Sequence, residues 1–344
     1  MTKRLSLFNK LVFIFNVIFA LALFLVYIDY FNLVGTFSLI SFLNLLVPFL
    51  VGINVLFLIY WAILRKREFL LSTVILIPGY FMFGSFLRLF DSNSTIDEQD
   101  ISILTFNVHS FYGLTWARDS AFSKEILDFL AEQDADIINF QEFGPIKGDA
   151  LDKYPYSYVN FNFKNSEGRV NQAIYSKYPI IAKGSLDFPQ SRNNAIYADI
   201  AISSDTVRLY NVHLQSLRFR LGSVKREEPQ RLYQRLGEAL AQQEDQARIL
   251  VDHFKGVRHK KIISGDFNNT QFSHIYRTLK GDFKDTFMEK GGGLGSTYNL
   301  RFLPFRIDFI LVDPSFEVTA HKNYDVQLSD HLPVMASFRL DGKE

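Results

Sequence analysis

Apolar positions are distributed in two different ways along this chain. In the first ninety residues they form three long runs. "LVFIFNVIFALALFLVYI" (11–28) has no charge over 18 residues, "SLISFLNLLVPFLVGINVLFLIYWAIL" (38–64) has none over 27, and "FLLSTVILIPGYFMFGSFLRLF" (69–90) has only Arg88, near its end. About 20 apolar residues cross a hydrocarbon core roughly 30 Å thick. The pattern therefore predicts a membrane anchor over 1–90 with three transmembrane helices, at about 11–30, 38–64 and 69–90. Pro48 and the pair Pro78, Gly79 would break a helix in water. In a bundle, neighbouring helices re-satisfy the backbone groups they free. Asn16, Asn44 and Asn54 interrupt the runs and are expected to hydrogen-bond between helices. "DSNSTIDEQD" (91–100) is polar and acidic, and reads as a linker.

From residue 101 the runs become short and β-branched, and each ends in a polar cluster. "ISILTFNVHS" (101–110) predicts a strand delivering Asn107 and His109. "SAFSKEILDFLAEQDAD" (120–136) has Ile126, Leu127 and Leu130 at helical spacing, and "IINFQEFG" (137–144) is a strand ending in Gln141 and Glu142. "VNQAIYSKYPI" (170–180), "IYADIAIS" (196–203) and "TVRLYNVHLQS" (206–216) continue as strands, the last carrying Asn211 and His213. A mainly helical segment, 224–255, precedes "KKIISGDFNNT" (260–270), which delivers Asp266, Asn268 and Asn269. "FRIDFILVD" (305–313) and "LSDHLPVMASFRL" (328–340) read as the last two strands, with Asp308 in the first and Asp330, His331 at the entrance to the second. "GGGLGS" (291–296) lacks the Lys and helix signal of a phosphate cradle and reads as a loop.

Charge narrows the reading. Of 37 Lys/Arg and 36 Asp/Glu, the first hundred residues hold seven and six, so residues 101–344 are neutral overall and have no whole-domain positive field for nucleic acid. The chain has no cysteine, which excludes thiolate metal sites and Cys nucleophiles. Lys3, Arg4 and Lys10 precede the first run and Arg65, Lys66, Arg67 lie between the second and third, whereas the segment 29–36 has neither Lys nor Arg. By the positive-inside rule this predicts a multi-pass inner-membrane protein, with its N-terminus cytoplasmic and the part after residue 90 extracytoplasmic. A cleaved signal peptide is the weaker reading of the first run, which is too long and has no small-x-small site.

The strand-end residues Asn107, Glu142, Asn211, His213, Asp266, Asn268, Asp308, Asp330 and His331 combine hard oxygen donors with two imidazoles. Such oxygens suit Mg²⁺ or Mn²⁺, and a hard cation beside histidines suits phosphoester hydrolysis. Taken singly each has a structural alternative: Glu142 exposed at a strand end, Asn107 and Asn268 as turn formers, Asp308 paired with Arg306 or Lys322. Their recurrence at six strand ends favours a shared site.

In order, "LTFNV", "NFQE", "AIYSKYPI", "YNVHLQS", "ISGDFNNT", "RIDFILV" and "SDHLPV" resemble the endonuclease/exonuclease/phosphatase superfamily over residues 101–340. The resemblance implies a DNase I-like, four-layer α/β sandwich of two mainly antiparallel sheets, with the site at one edge. It implies Glu142 as the principal ligand of Mg²⁺ or Mn²⁺, with Asn107 and Asp330 close to the same ion. Asp266 and Asn268 would orient or activate water, Asp308 would orient His331 on the scissile phosphate, and His213 would be a second phosphate-stabilising or proton-donating group. Asn211, Arg218 and Arg220 are the substrate-binding candidates. The two arginines belong to a basic set with Lys225, Arg226, Arg231 and Arg235 that equally suits a solvated helix face paired with Glu227 and Glu228. "NVHLQS" departs from the abasic-site endonucleases, and "RFLPFRIDFILV" departs from the inositol 5-phosphatases.

The expected activity is that of a membrane-anchored phosphodiesterase or phosphatase. Its substrate would be a phospholipid head group, a nucleic acid or a small phosphoester, and no obligate protein partner is inferred. A non-catalytic binding protein on the same fold is the alternative. Transport finds little support in spans without internal charge.

Overall fold

The computed structural model describes residues 5–33, 38–83, 97, 100–111, 120–144, 151–160, 171–218, 227–300 and 303–340. Among these, the apolar segment forms α1 (Leu7–Tyr30), α2 (Ser38–Leu43), a 3₁₀ turn (Asn44–Leu46), α3 (Val47–Ile63) and α4 (Phe69–Phe83). Pro48 sits in the first turn of α3, where its missing N–H costs nothing. Pro78 lies inside α4, and the neighbouring Gly79 makes room for Tyr27, whose hydroxyl a Cβ would meet at 2.5 Å. Asn16 donates to Ser72 Oγ at 2.8 Å and accepts from Trp61 Nε1 at 3.0 Å, so it links α1, α3 and α4.

The expectation of three spans is corrected to two. Leu7–Tyr30 and Ile40–Ile63 are long and apolar enough to cross a membrane, and only 28% and 22% of their apolar windows are buried. The third helix has 15 described residues, about 22 Å at 1.5 Å per residue, short of a hydrocarbon core. Residues 84–90 of the expected span lie outside the described residues. So does most of the linker, although Asp100 is buried and pairs with Arg339 Nε at 2.5 Å.

The rest is a sandwich. Its strands are β1 (Ile101–Asn107), β2 (Ile137–Gln141), β3 (Tyr156–Asn160), β4 (Gln172–Ser176), β5 (Ile180–Asp187), β6 (Asn194–Ile202), β7 (Asp205–His213), β8 (Lys260–Asp266), β9 (Lys284–Asp285), β10 (Tyr298–Leu300), β11 (Leu303–Phe305), β12 (Asp308–Val312), β13 (Phe316–Asn323) and β14 (Val334–Leu340). The helices are α5 (Ser120–Gln133), α6 (Pro229–Lys255), α7 (His274–Lys280) and α8 (Thr286–Lys290). One sheet runs β13-β14-β1-β2-β4-β3 and the other β5-β6-β7-β8-β12-β9, with β10-β11 a separate hairpin. Each six-stranded sheet has one parallel pair, β1 with β2 and β7 with β8, and the remaining pairs are antiparallel.

Three apolar clusters make four layers. Ile103, Ile137, Ile196, Leu209, Ile262 and Val334 meet between the sheets. Ile126, Leu127 and Leu130 of α5 cover the outer face of the first sheet, and α6 and α7 cover that of the second. Strands β3, β5 and β13 were not expected from the sequence. All three are edge strands, and β3 and β5 are largely exposed, so their apolar pattern is weak. The reading of 305–313 and 328–340 as the last two strands also fails, because β13 lies between them.

Candidate active site

Sheet direction explains why residues so far apart in sequence meet. β1 and β2 run parallel, as do β7 and β8, and their C-terminal ends carry Asn107, Glu142, His213 and Asp266. β12 and β14 run antiparallel to β8 and β1, so Asp308 and His331 arrive on the same edge from the opposite direction. The register pairs His213 with Asp266 and Asp308 with Asp266. Gly265 makes this approach possible. Its φ is +134°, and a Cβ there would lie 2.0 Å from the Val212 carbonyl oxygen, a contact no side chain tolerates.

Asp266 is the hub. Its Oδ2 accepts from Asn107 Nδ2 at 3.1 Å and from Asn268 Nδ2 at 3.2 Å, and faces His213 Nε2 at 3.5 Å and His331 Nε2 at 3.6 Å. Its Oδ1 accepts the Asn268 backbone N–H at 2.8 Å. His331 is held on its other side by Asp308, Nδ1 to Oδ2 at 2.9 Å. Asp308 is thus committed to His331, while Arg306 pairs with Asp285 at 2.7 Å. Glu142 stands at the rim with its side chain 30% exposed, 3.9 Å from His213 Nε2 and 3.5 Å from Asn107 Nδ2. Asp330 is half-buried and accepts from Ser329 Oγ, which also donates to the Asn107 carbonyl at 2.9 Å. Glu142 and Asn268 have φ of +50° and +49°, a region non-glycine residues seldom occupy and one that recurs at functional sites.

Burial raises the Asp266 carboxyl to about 6, with help from Asp308 and against the pull of His331, His213 and the Asn268 N–H. Burial opposes a charged His331, but the carboxylates of Asp308 and Asp266, the hydrogen bond to Asp308 and the charge of Asp330 outweigh it, pushing the imidazole up to about 10. The two acids that flank His331 thus favour its charged form.

One ligand atom each from Asp266, Asp308 and His331 lie within 4.8 Å of one another. Asp308 engages His331 Nδ1 at 2.9 Å and Asp266 faces its Nε2 at 3.6 Å, so the trio is a hydrogen-bonded triad whose ligand atoms are also close enough together for a metal ion. Glu142 and Asp330 add carboxylate oxygens at the rim, whereas Asn107 turns its Nδ2 toward Glu142 and Asp266 and its Oδ1 accepts the His109 N–H at 3.1 Å. The buried Asp308 Oδ1 and His213 Nδ1 have no hydrogen-bond partner, which adds to the uncompensated polarity of the edge. That chemistry fits Mg²⁺ or Mn²⁺.

A profile described as the Endonuclease/Exonuclease/phosphatase family matches residues 104–331. The chain belongs to this family. A second profile, a domain of unknown function (DUF8431), matches residues 9–86. No curated protein sequence matches the chain. Among solved structures, the family protein of Beutenbergia cavernae DSM 12333 is 18% identical, with a TM-score of 0.52 over 71% of this chain and 72% of that one. The Bacteroides thetaiotaomicron family protein is also 18% identical, with a TM-score of 0.52 over 72% of this chain and 100% of that one. D. rerio TDP2, solved with a single-strand DNA product, is 16% identical, with a TM-score of 0.52 over 70% of this chain and 100% of that one. At these identities the likeness establishes the fold.

In this family member the structure brings together Asn107, Glu142, His213, Asp266, Asn268, Asp308, Asp330 and His331. It does not bring in Asn211. That side chain is fully buried, donates to the Phe140 and Ala173 carbonyls at 2.8 and 3.0 Å, and accepts from Gln141 Nε2 at 2.7 Å. It joins the two sheets and has no donor left for substrate. Arg218 is exposed, and its described hydrogen bonds are made by its backbone, with Ser216 and Arg235. Arg220, Lys225 and Arg226 lie outside the described residues. Arg235 pairs with Glu227, and Arg231 with Glu228, as a solvated face would. The sequence reading missed three supports: Thr297, whose Oγ1 accepts the Asp308 N–H at 3.0 Å; Tyr298, whose ring lies 4.9 Å from that of His331; and Gln243, which donates to the Asn268 carbonyl at 3.1 Å. Thr297 and Tyr298 follow a glycine-rich loop, and Gln243 is one glutamine among several on α6, so none carried a signal.

Proposed function

We propose that the protein is a divalent-metal-dependent phosphoester hydrolase held at a membrane by its apolar helices. The observation that carries this is His331, held by Asp308 at 2.9 Å and facing Asp266 at 3.6 Å, beside the carboxylates of Glu142 and Asp330. Glu142, with Asn107 and Asp330, would hold Mg²⁺ or Mn²⁺, which supplies charge neutralisation for phosphate oxygens. His331 then donates hydrogen bonds to a phosphate oxygen and stabilises charge as it builds, its tautomer and orientation fixed by Asp308. Asp266, kept in place by Asn268, orients water and takes its proton, a task suited to a carboxyl raised toward neutrality. His213 faces the same space and serves as a second hydrogen-bond donor.

Two features support membrane anchoring. The helices expose large apolar side chains such as Leu7, Ile63 and Phe81, each more than 70% exposed, and surfaces of this kind signify a partner or a bilayer. The turn Arg65–Arg67 follows the C-terminal end of α3, one helix length from the α2 end that packs against the sandwich. Two spans alone would return the chain to the side of its N-terminus, so a cytoplasmic basic turn with the catalytic part outside requires α4 to lead back to the sandwich, where Phe83 meets Phe272.

The substrate is a phosphoester, whether lipid head group, nucleic acid or small molecule. The full chain in detergent should be tested with Mg²⁺ on bis-p-nitrophenyl phosphate, p-nitrophenyl phosphate, sphingomyelin vesicles and plasmid DNA. Turnover of at least one diester or monoester is expected, and none with any of the four would refute the reading. For orientation, an alkaline phosphatase fusion at residue 100 should be active in a bacterial host; an inactive one would reverse it.

A further inference from the structure

The helices and the active-site edge share buried contacts that a simple tether would not need. Asp29, in the last turn of α1, is completely buried, and its carboxylate accepts from Ser41 Oγ at 2.6 Å and Asn44 Nδ2 at 2.7 Å. The third partner comes from the sandwich: His274 Nδ1 lies 3.3 Å from Asp29 Oδ2. Thr270 Oγ1 donates to the Asn44 carbonyl at 3.3 Å. Between Thr270 and His274, Phe272 inserts its ring among Leu23, Val26, Val47 and Leu50, with Phe83 at 5.1 Å edge-on.

These sandwich residues belong to the segment that leaves Asp266. Asn268 bonds Asp266, Asn269 Nδ2 donates to Gln243 Oε1 at 2.8 Å, and Thr270 N–H donates to Asn269 Oδ1 at 2.9 Å. Asn268 is thus two residues from a hydrogen bond to the helices and four from a ring buried among them. A buried carboxylate with three donors is costly to disturb, because losing one leaves charge without compensation.

We infer that Asp29 and the pocket for Phe272 are positioning elements of the catalytic edge, so that the apolar helices form part of the enzyme and set the placement of Asn268 and, through it, Asp266. This rests on the hydrolase reading of the site. It would confine full activity to the intact chain and tie the active edge to the end of α1 and the start of α2.

The test compares the full wild-type chain with Asp29→Ala and Phe272→Ala, and with Asn16→Ala as a control that breaks a buried hydrogen bond elsewhere in the helices. Two readouts are taken: kcat and KM on bis-p-nitrophenyl phosphate, and amide hydrogen exchange of residues 267–274. Asp29→Ala and Phe272→Ala should lower kcat at least ~10-fold with KM within ~2-fold, and speed exchange of the segment at least ~10-fold. Asn16→Ala should leave both unchanged, and Asp29→Asn, which keeps most of the hydrogen bonds, should recover most of kcat. Phe272→Ala leaves the Asp29 network intact, so it decides the question if Asp29→Ala fails to fold. Wild-type kcat and exchange in both variants would overturn the inference. An inactive wild-type chain would refute the hydrolase reading, and exchange alone would then decide the coupling.

Discussion

The same strands carry two sets of buried polar residues, and the sets behave differently. β2 supplies Asn139 and Gln141 and then Glu142; β7 supplies Asn211 and then His213; β8 supplies Ser264 and then Asp266. The inner members are neutral and hydrogen-bond to one another across the gap between sheets, with Asn139 Oδ1 and Gln141 Oε1 left without a partner among the described residues. Asn139 donates to Ser264 at 2.5 Å, and Gln141 donates to Asn211 at 2.7 Å and to Thr105 at 3.0 Å. The outer members are ionisable side chains, Glu142, His213 and Asp266, gathered at the sheet edge. A two-residue step along a strand keeps the same face, so Asn211 and His213, like Ser264 and Asp266, differ in depth, whereas Glu142 follows Gln141 directly and leaves the strand with a φ of +50°. The inner layer clamps the sheets; the outer layer is left with charge that a cation and a phosphate would balance.

The strongest way to break this contrast is to substitute the outer set. Glu142→Ala and His331→Ala should each reduce kcat by ~10³-fold or more; Glu142→Ala should unfold within a few degrees of wild type, whereas His331→Ala strands the buried Asp308 and Asp266 and should unfold well below it, and retained turnover would place the chemistry elsewhere. Asp308→Asn leaves the imidazole in place without its counter-charge. It should cost about 10–100-fold in kcat, and a wild-type rate would reduce Asp308 to a structural role.

The inner set should show the reverse. Asn211→Ala strands two carbonyls and the Gln141 amide, so a loss of about 2–3 kcal/mol in unfolding free energy is expected, with kcat at saturating metal changed far less than in the outer set. Gly265→Ala tests the joint between the layers, where a side chain would collide with β7. A cost of about 3 kcal/mol is expected, or a fall in Tm of roughly 6–12 °C.

The smallest effect is a titration. In the metal-free protein His331 should titrate near pH 10, followed by NMR of its ring protons. Because its folded pKa lies above the unfolded value of about 6.5, its contribution to stability is complete below pH ~6.5 and is lost as pH rises through 10. Asp266, raised to about 6, has the same sign: its ionisation in the fold costs stability as pH climbs from about 4 to 6. A His331 midpoint near 6.5 would mean the clamp does not hold.

The sequence disclosed the outer set because charged residues at the ends of apolar strands have few structural excuses. It also disclosed the four strands of the two central parallel pairs, which are largely buried and read as apolar runs, but not their pairing. It did not disclose the edge strands β3, β5 and β13, where burial is partial, nor depth along a strand. Asn211 and His213 look equivalent in "YNVHLQS", and only the position of the second sheet makes one a clamp and the other a site residue. The helices misled differently. A run of apolar letters fixes length, but α4 has 15 described residues, and nothing in the run shows that Asp29, at the end of the expected first span, is buried and faces His274 of the sandwich.

The claim that the edge is a metal-dependent hydrolytic site is tested most directly by turnover of bis-p-nitrophenyl phosphate by the full chain in Mg²⁺ or Mn²⁺, then with excess EDTA, then with the metal restored, beside Glu142→Ala. The account predicts activity that EDTA abolishes, that returned metal restores, and that the variant lacks throughout. Activity that survives EDTA, or that the variant retains, would contradict it.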